Sequence, residues 1–298
     1  MTGLLLLNKN PGITSFDSLK PVKKALKTPK VCHTGTLDSF AQGLLAVLTG
    51  RAVKLSSVFT GCDKQYRALL RFGEETDTLD PLGTIIATAL IPCKEDLERA
   101  LPAFTGTILQ APPMYSAVHI NGKRAYELAR AGAEIEMKKR PVTVYSISLT
   151  AWEPPNAELE VHCSSGTYIR SLTRDLAHAL GSRAHLCSLV RTNVGNFSLE
   201  EAFSVPPETN NGLYIEEMIK SALKPLNTEL FAKLGVPCLQ IGEKAAKVVA
   251  HGGDIQFLRR EITESEKNTI ALFGPQSFAA LIEQKDHLWK YRFVNAAD

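Results

Sequence analysis

Asp38 lies in residues 33–45, HTGTLDSFAQGLL, a polar stretch between the apolar pair Val31-Cys32 and the run Leu44-Leu45-Ala46-Val47-Leu48. A carboxylate on a tight, glycine-containing loop can act as a nucleophile, provided its surroundings keep it ionised. It can equally cap a helix. Phe40, Leu44 and Leu48 recur at a spacing that predicts a helix from about Ser39, which would make Asp38 such a cap. Arg170 is the second chemistry-bearing residue. It falls in the first turn of another predicted helix, where the macrodipole disfavours a cation. A buried carboxylate such as Asp38 would compensate it; the alternative is an arginine reaching past the helix end to solvent. Tyr66, on an alternating segment, reads locally as a core aromatic.

Basic residues are grouped. Lys20, Lys23, Lys24 and Lys27 fall on one helical stripe, and Lys30 follows with no acidic interruption. Lys123, Arg124, Arg130, Lys138, Lys139 and Arg140 form a second group, diluted by Glu127, Glu134 and Glu136 and interleaved with Tyr115 and Tyr126. Each group is either a solvated face or a phosphate-contacting surface. The formal net charge of +3 decides nothing between them.

The elements that must hold these residues come from a chain of 298 residues, enough for one large domain, or a large and a small one. Leu4 to Leu7 predict a buried strand running into a turn at Asn10-Pro11-Gly12, with Thr14, Ser15 and Asp17 as caps for the lysine-bearing helix. Tyr66, Ala68, Leu70 and Phe72 alternate with Arg67 and Arg71, a half-buried strand followed by a polar turn through Asp77, Asp80, Pro81 and Gly83. A strand over 85–90, a helix over 95–104, an Asn121-Gly122 turn and a helix ending at Gly132 follow. Leu159, Val161 and Cys163 mark a strand, and Ile169, Leu172, Leu176 and Leu180 a helix closed by Gly181. Beyond a loop at 206–212 and a helix over 213–223, short strands are expected at 237–241, 254–258, 269–273, 278–283 and 289–294.

The six cysteines are too scattered for a zinc site or redox pair, and the run at Leu4 is too short for a signal-peptide core. No stretch reaches membrane-spanning length, and a cytoplasmic protein is expected.

Several ordered stretches resemble the TruB family of tRNA pseudouridine synthases. Asn8-Lys9-Asn10-Pro11-Gly12-Ile13-Thr14-Ser15 is similar to its N-terminal motif and residues 33–45 to its Asp loop. Lys64-Gln65-Tyr66 resembles its tyrosine motif, and Asp77-Thr78-Leu79-Asp80 the turn that follows. Residues 113–132, Gly166-Thr167-Tyr168-Ile169-Arg170 and Leu189-Val190-Arg191-Thr192 complete the series. The family usually has Gly at Cys32, Pro at Ser39 and Lys-Pro at Lys9-Asn10; none of these departures removes a chemical group.

The resemblance implies an α+β pseudouridine synthase fold with a mixed, largely antiparallel central sheet flanked by helices. The catalytic domain would span 1–235, including a connecting helix at about 206–230, and a β-rich, PUA-like RNA-binding domain 236–298. It further implies isomerisation of uridine 55 in the tRNA T loop after base flipping, with no cofactor or metal. Asp38, Tyr66 and Arg170 would be catalytic: nucleophile, uracil-packing group that helps remove the C5 proton, and the guanidinium that keeps Asp38 ionised. His33 would occupy the vacated stack, Leu189 would form an apolar wall, and Asp80, Tyr168 and Lys64 would stand beside the substrate. Lys23, Lys24, Lys123 and Arg124 would contact RNA phosphates. The expected partner is the tRNA T arm alone, bound by a monomer with no protein partner or membrane. The alternatives are a non-catalytic RNA-binding or tRNA-folding protein, and a nucleoside glycoside hydrolase pairing Asp38 with Glu74 or Asp80.

Overall fold

The computed structural model describes residues 1–120, 122–133, 136–205, 212–260, 262 and 268–295. Asn121 of the expected turn, Glu134, and positions 206–211 of the expected loop therefore lie outside the described residues.

The strands Gly3–Lys9, Gln42–Thr49, Ala184–Val194, Lys64–Phe72, Asn156–Cys163, Arg140–Glu153 and Gly106–Gln110 stand side by side in that order, with Phe203–Ser204 beyond the first. Val31–His33 and Phe197–Ser198 pair off this path, giving a ten-stranded sheet. Only the Gly3–Lys9/Phe203–Ser204 and Gln42–Thr49/Ala184–Val194 pairs are parallel. The sheet is thus mixed and largely antiparallel, as expected.

Alternation in the Lys64–Phe72 strand puts Ala68, Leu70 and Phe72 in the core and leaves Gln65 and Arg67 exposed. Leu172, Leu176 and Ala177 of the Ile169–Ala179 helix pack on that inner face, with Leu159 and Val161 from the neighbouring strand. The helix ends as the sequence indicates, with Gly181 at φ 65° beyond its last turn.

One expectation fails where it matters most. Gln42–Thr49 is a strand, not the helix predicted from Ser39. Leu44, Ala46 and Leu48 enter one core cluster with Leu4, Leu6 and Phe59, while Leu45 and Val47 enter another with Leu5, Leu7 and Val22. A spacing of four keeps residues on one face of a strand as well as of a helix, so the pattern was degenerate. Burial on both faces produced the unbroken apolar run. Asp38 consequently caps no helix; it sits on the connection between the antiparallel strands Val31–His33 and Gln42–Thr49.

The lysine-bearing helix is shorter than its stripe. It spans Lys20–Ala25, with Pro21 in its first turn, and Lys27 lies beyond it at φ 47°. In the tail, strands Cys238–Gln240, Thr269–Phe273, Phe278–Lys285 and Leu288–Val294 form a four-stranded sheet. Residues 254–258 are not the expected strand: a 3-10 helix spans Gln256–Arg260, and an unforeseen helix spans Glu243–Ala250. Ile255 and Leu258 are buried while Phe257, which would share a strand face with Ile255, is half exposed, so burial follows a three-residue step rather than alternation.

Phe273, Phe278 and Phe293 of the tail join Phe231, Phe59, Leu4 and Leu6 in a single apolar cluster. The Phe231 and Phe278 rings lie 4.6 Å apart. No helix among the described residues is long and apolar enough to cross a membrane.

Candidate active site

A cavity of about 490 Å³ opens beside the Asp38 loop, a size suited to one nucleotide-scale ligand. Asp38, Lys64, Tyr66, Tyr168, Arg170 and Leu189 all line it. They come from the loop, the Lys64–Phe72 strand, the start of the Ile169–Ala179 helix and the Ala184–Val194 strand.

Arg170 and Asp38 meet face to face. Nη2 donates to Oδ1 at 2.9 Å, and Nε lies 2.9 Å from Oδ2 as a charge contact without hydrogen-bond geometry. Arg170 is 5 % exposed, and its remaining donors reach the carbonyls of Thr78 (3.0 Å) and Tyr115 (3.0 Å). The first-turn cation is therefore compensated. Burial pushes the Asp38 carboxyl above the usual carboxylate range; Arg170 pulls it back, Asp80 adds to the rise, and Lys9 opposes it.

The loop is pinned from several sides. Ser15 Oγ accepts from Leu37 N (2.8 Å) and donates to Leu37 O (2.9 Å). Lys9, 1 % exposed, donates to Ala41 O at 2.6 Å, Asn10 O at 3.0 Å and Ser39 O at 3.3 Å. Burial lowers its ammonium to about 8, against the pull of Asp38. Arg191, 2 % exposed, donates to Leu44 O at 2.7 Å and Gly35 O at 3.1 Å. Gln110 clamps Tyr168, two residues before Arg170, accepting from Tyr168 N at 2.8 Å and donating to Tyr168 O at 3.1 Å. Lys9, Gln110 and Arg191 were not among the predicted site residues. Lys9 carried a signal, since it shares the parity of buried Leu5 and Leu7 along one strand.

Other predicted residues stand differently. Lys64 lines the cavity, yet its ammonium donates to Thr60 O (2.7 Å) and Cys62 O, and burial lowers its pKa. Asp80 does not reach the cavity lining. Its carboxylate accepts from Thr78 Oγ1 (2.7 Å) and Leu82 N (3.0 Å) and lies 3.5 Å from Arg170 Nη1. His33 stands at the start of the loop outside the lining, half buried, its imidazole pKa lowered by burial and by Arg191. Lys24, Lys123 and Arg124 are exposed and Lys23 lies 4.6 Å from the Phe16 ring, all outside the cavity lining. Burial pushes the phenols of Tyr66 and Tyr168 up. Of the carboxylates that a glycoside hydrolase would pair with Asp38, Asp80 is tied into its turn and Glu74 is paired with Arg71 at 3.1 Å, and neither lines the cavity.

The sequence matches the profile of the TruB family pseudouridylate synthase N-terminal domain over residues 23–169. It is 48% identical over 222 residues to tRNA pseudouridine synthase B of Borreliella burgdorferi strain ZS7, covering 74% of this chain and 79% of that one. Over 284 residues it is 39% identical to tRNA pseudouridine synthase B of Chromohalobacter salexigens, covering 94% and 89%. Among solved structures it superposes on a chain of a Cbf5-Nop10-Gar1 complex with a TM-score of 0.70 at 22% identity, covering 99% and 84%. A chain of an H/ACA RNP bound to a substrate RNA containing 2'-deoxyuridine gives 0.71 at 21% identity, covering 99% and 85%. At these identities the likeness to solved structures is one of fold.

Proposed function

Because the chain belongs to the TruB family of pseudouridine synthases, we propose that it converts uridine 55 in the T loop of tRNA to pseudouridine, with Asp38 as nucleophile. The observation that carries this reading is the Asp38–Arg170 pair on the wall of a nucleotide-sized cavity. Isomerisation breaks the N1–C1′ bond, turns the base and joins C1′ to C5. One proton leaves C5 and one arrives at N1, so nothing is gained or lost. Asp38 assists either by adding to C6 or by engaging C1′, and Arg170 favours the charged form that either route requires.

The target base leaves its stack to enter the cavity, at a cost of a few kcal/mol. Tyr66 then packs on the uracil and takes part in removing the C5 proton, while Leu189 forms an apolar wall. The exposed lysines at 20, 24, 27 and 30, together with Lys23, and the group from Lys123 to Arg140, hold phosphates. Residues 236–298 form the PUA-like part of the RNA grip. The test is incubation of the full chain with an unmodified tRNA transcript, followed by mapping of pseudouridine. Product at position 55 is expected; binding without product would favour the non-catalytic alternative.

A further inference from the structure

Arg191 sits on the Ala184–Val194 strand, in register with Tyr66 on one side and Gly43 on the other. Its guanidinium reaches both ends of the Asp38 loop: the Gly35 and Thr36 carbonyls before the carboxylate, at 3.1 and 3.5 Å, and the Leu44 carbonyl after it, at 2.7 Å. Tyr66 stands directly across the strand pair from Arg191, and both residues line the same cavity. Among the described residues the acceptors of Arg191 are these neutral carbonyls, so the cation is buried for its donors rather than for an ion pair. A buried guanidinium is costly unless its donors are used, and only an arginine has a planar fork of them to serve three carbonyls at both ends of one loop.

We propose that Arg191 is the positioning residue that couples the Asp38 loop to the Tyr66 phenol, holding nucleophile and proton acceptor in one frame. The inference rests on the assignment of Asp38 and Tyr66 given above. The proton step makes the need concrete. The proton passes from C5 to the Tyr66 oxygen in its phenolate form, the C5–H electron pair returns to the ring, and N1 takes a proton from solvent. A phenol at neutral pH holds little phenolate, so an adjacent fixed cation is the means of raising that share. The groups facing Tyr66 divide accordingly. Burial, Cys163 and Asp38 push its phenol up and Arg191 pulls it down, while Lys64, Arg170 and Tyr168 line the same cavity.

The test compares the full-length Arg191→Gln and Arg191→Lys variants with the parent in single-turnover pseudouridine formation between about pH 6 and pH 10, alongside tRNA binding. Arg191→Gln is expected to bind tRNA within about twofold of the parent, yet react about 100-fold more slowly. The rising limb of its rate against pH should move to higher pH, because the phenol has lost its cation. Arg191→Lys, which keeps the buried charge and with it the fold, should regain the position of that limb but not the rate. One ammonium cannot hold both ends of the loop from its place beside the phenol. An unchanged rate in the Lys variant, or a uniform fall with no displacement in the Gln variant, would overturn the proposal. Turnover retained by Asp38→Asn would instead sink the underlying site assignment. A dead Asp38→Asn beside parent-like Arg191 variants sinks the coupling alone.

Discussion

Arg170 grips Asp38 from 132 residues further along the chain, and the two contacts between them have the same length, 2.9 Å. The arginine is itself fixed by carbonyls from two further segments, at Thr78 and Tyr115. The carboxylate is thus aimed by a donor that cannot drift.

Replacing Asp38 by Asn keeps the shape and removes the charge. We expect tRNA binding close to that of the parent and no pseudouridine. Residual turnover above a few per cent in a mapped single-turnover assay would remove Asp38 from the nucleophile role.

Arg170→Met should act through pH as well as rate. Burial already raises the Asp38 carboxyl and Arg170 opposes that rise. Without the guanidinium the carboxyl rises further, so protonation silences the nucleophile at a less acidic pH. The acid limb of activity should therefore move to higher pH. A limb that stays in place while the rate falls would mean that Arg170 orients Asp38 without affecting its ionisation.

Lys23 and Lys24 sit together on the Lys20–Ala25 helix. Changing both to Ala should weaken tRNA binding and reduce the slope of log affinity against log salt by about 2. An unaltered slope would mean that this helix does not touch the RNA.

Glu201 joins the end of the ten-stranded sheet to the segments leading into the tail. It pairs with Lys224 and Lys233, each at 2.7 Å. Burial pushes its carboxyl up, but hydrogen bonds from the two lysines outweigh this and hold it at about 2. A depressed carboxyl stabilises the fold above its unfolded value and loses that contribution as pH falls through about 2. Glu201→Gln should cost about 1 kcal/mol at neutral pH after allowance for solvent screening, and the gap in Tm should close in acid. An equal gap at both extremes would argue for packing instead of charge.

Gly43 adopts φ +109°, and a Cβ there would stand 2.4 Å from the Arg191 carbonyl oxygen. Gly43→Ala should destabilise the protein by about 2–4 kcal/mol, read as a fall in Tm. A neutral outcome would show that the two strands can part at that point.

Asp38, Tyr66 and Arg170, which meet at the cavity, were easier to read than the elements that carry them. Tyr66 was placed by its alternation with Arg67, and Arg170 drew attention because a cation at a helix start needs a partner. The Gln42–Thr49 strand was misread because Leu44 and Leu48 satisfy both periods, and only burial on both faces separates the two. Lys9, Gln110 and Arg191 left weaker traces because their partners are backbone carbonyls and amides distant in sequence. No residue type marks a carbonyl as an acceptor. Such contacts become visible only once the sheet has set its register.

The phenylalanines packed between the tail sheet and the rest of the chain have a mechanical consequence. With Phe231 wedged against Phe273 and Phe278, Arg292 bonded to Ser57 at 2.6 Å, and the tail phenylalanines in one cluster with Leu4, Leu6 and Leu44, the tail is held against the sheet that carries the cavity and the helices beside it. An RNA that engages both places must bridge a set span, as an object fits a caliper locked at one opening. Substrates whose folded arm is too short or too long would then be turned away by geometry before any base is read.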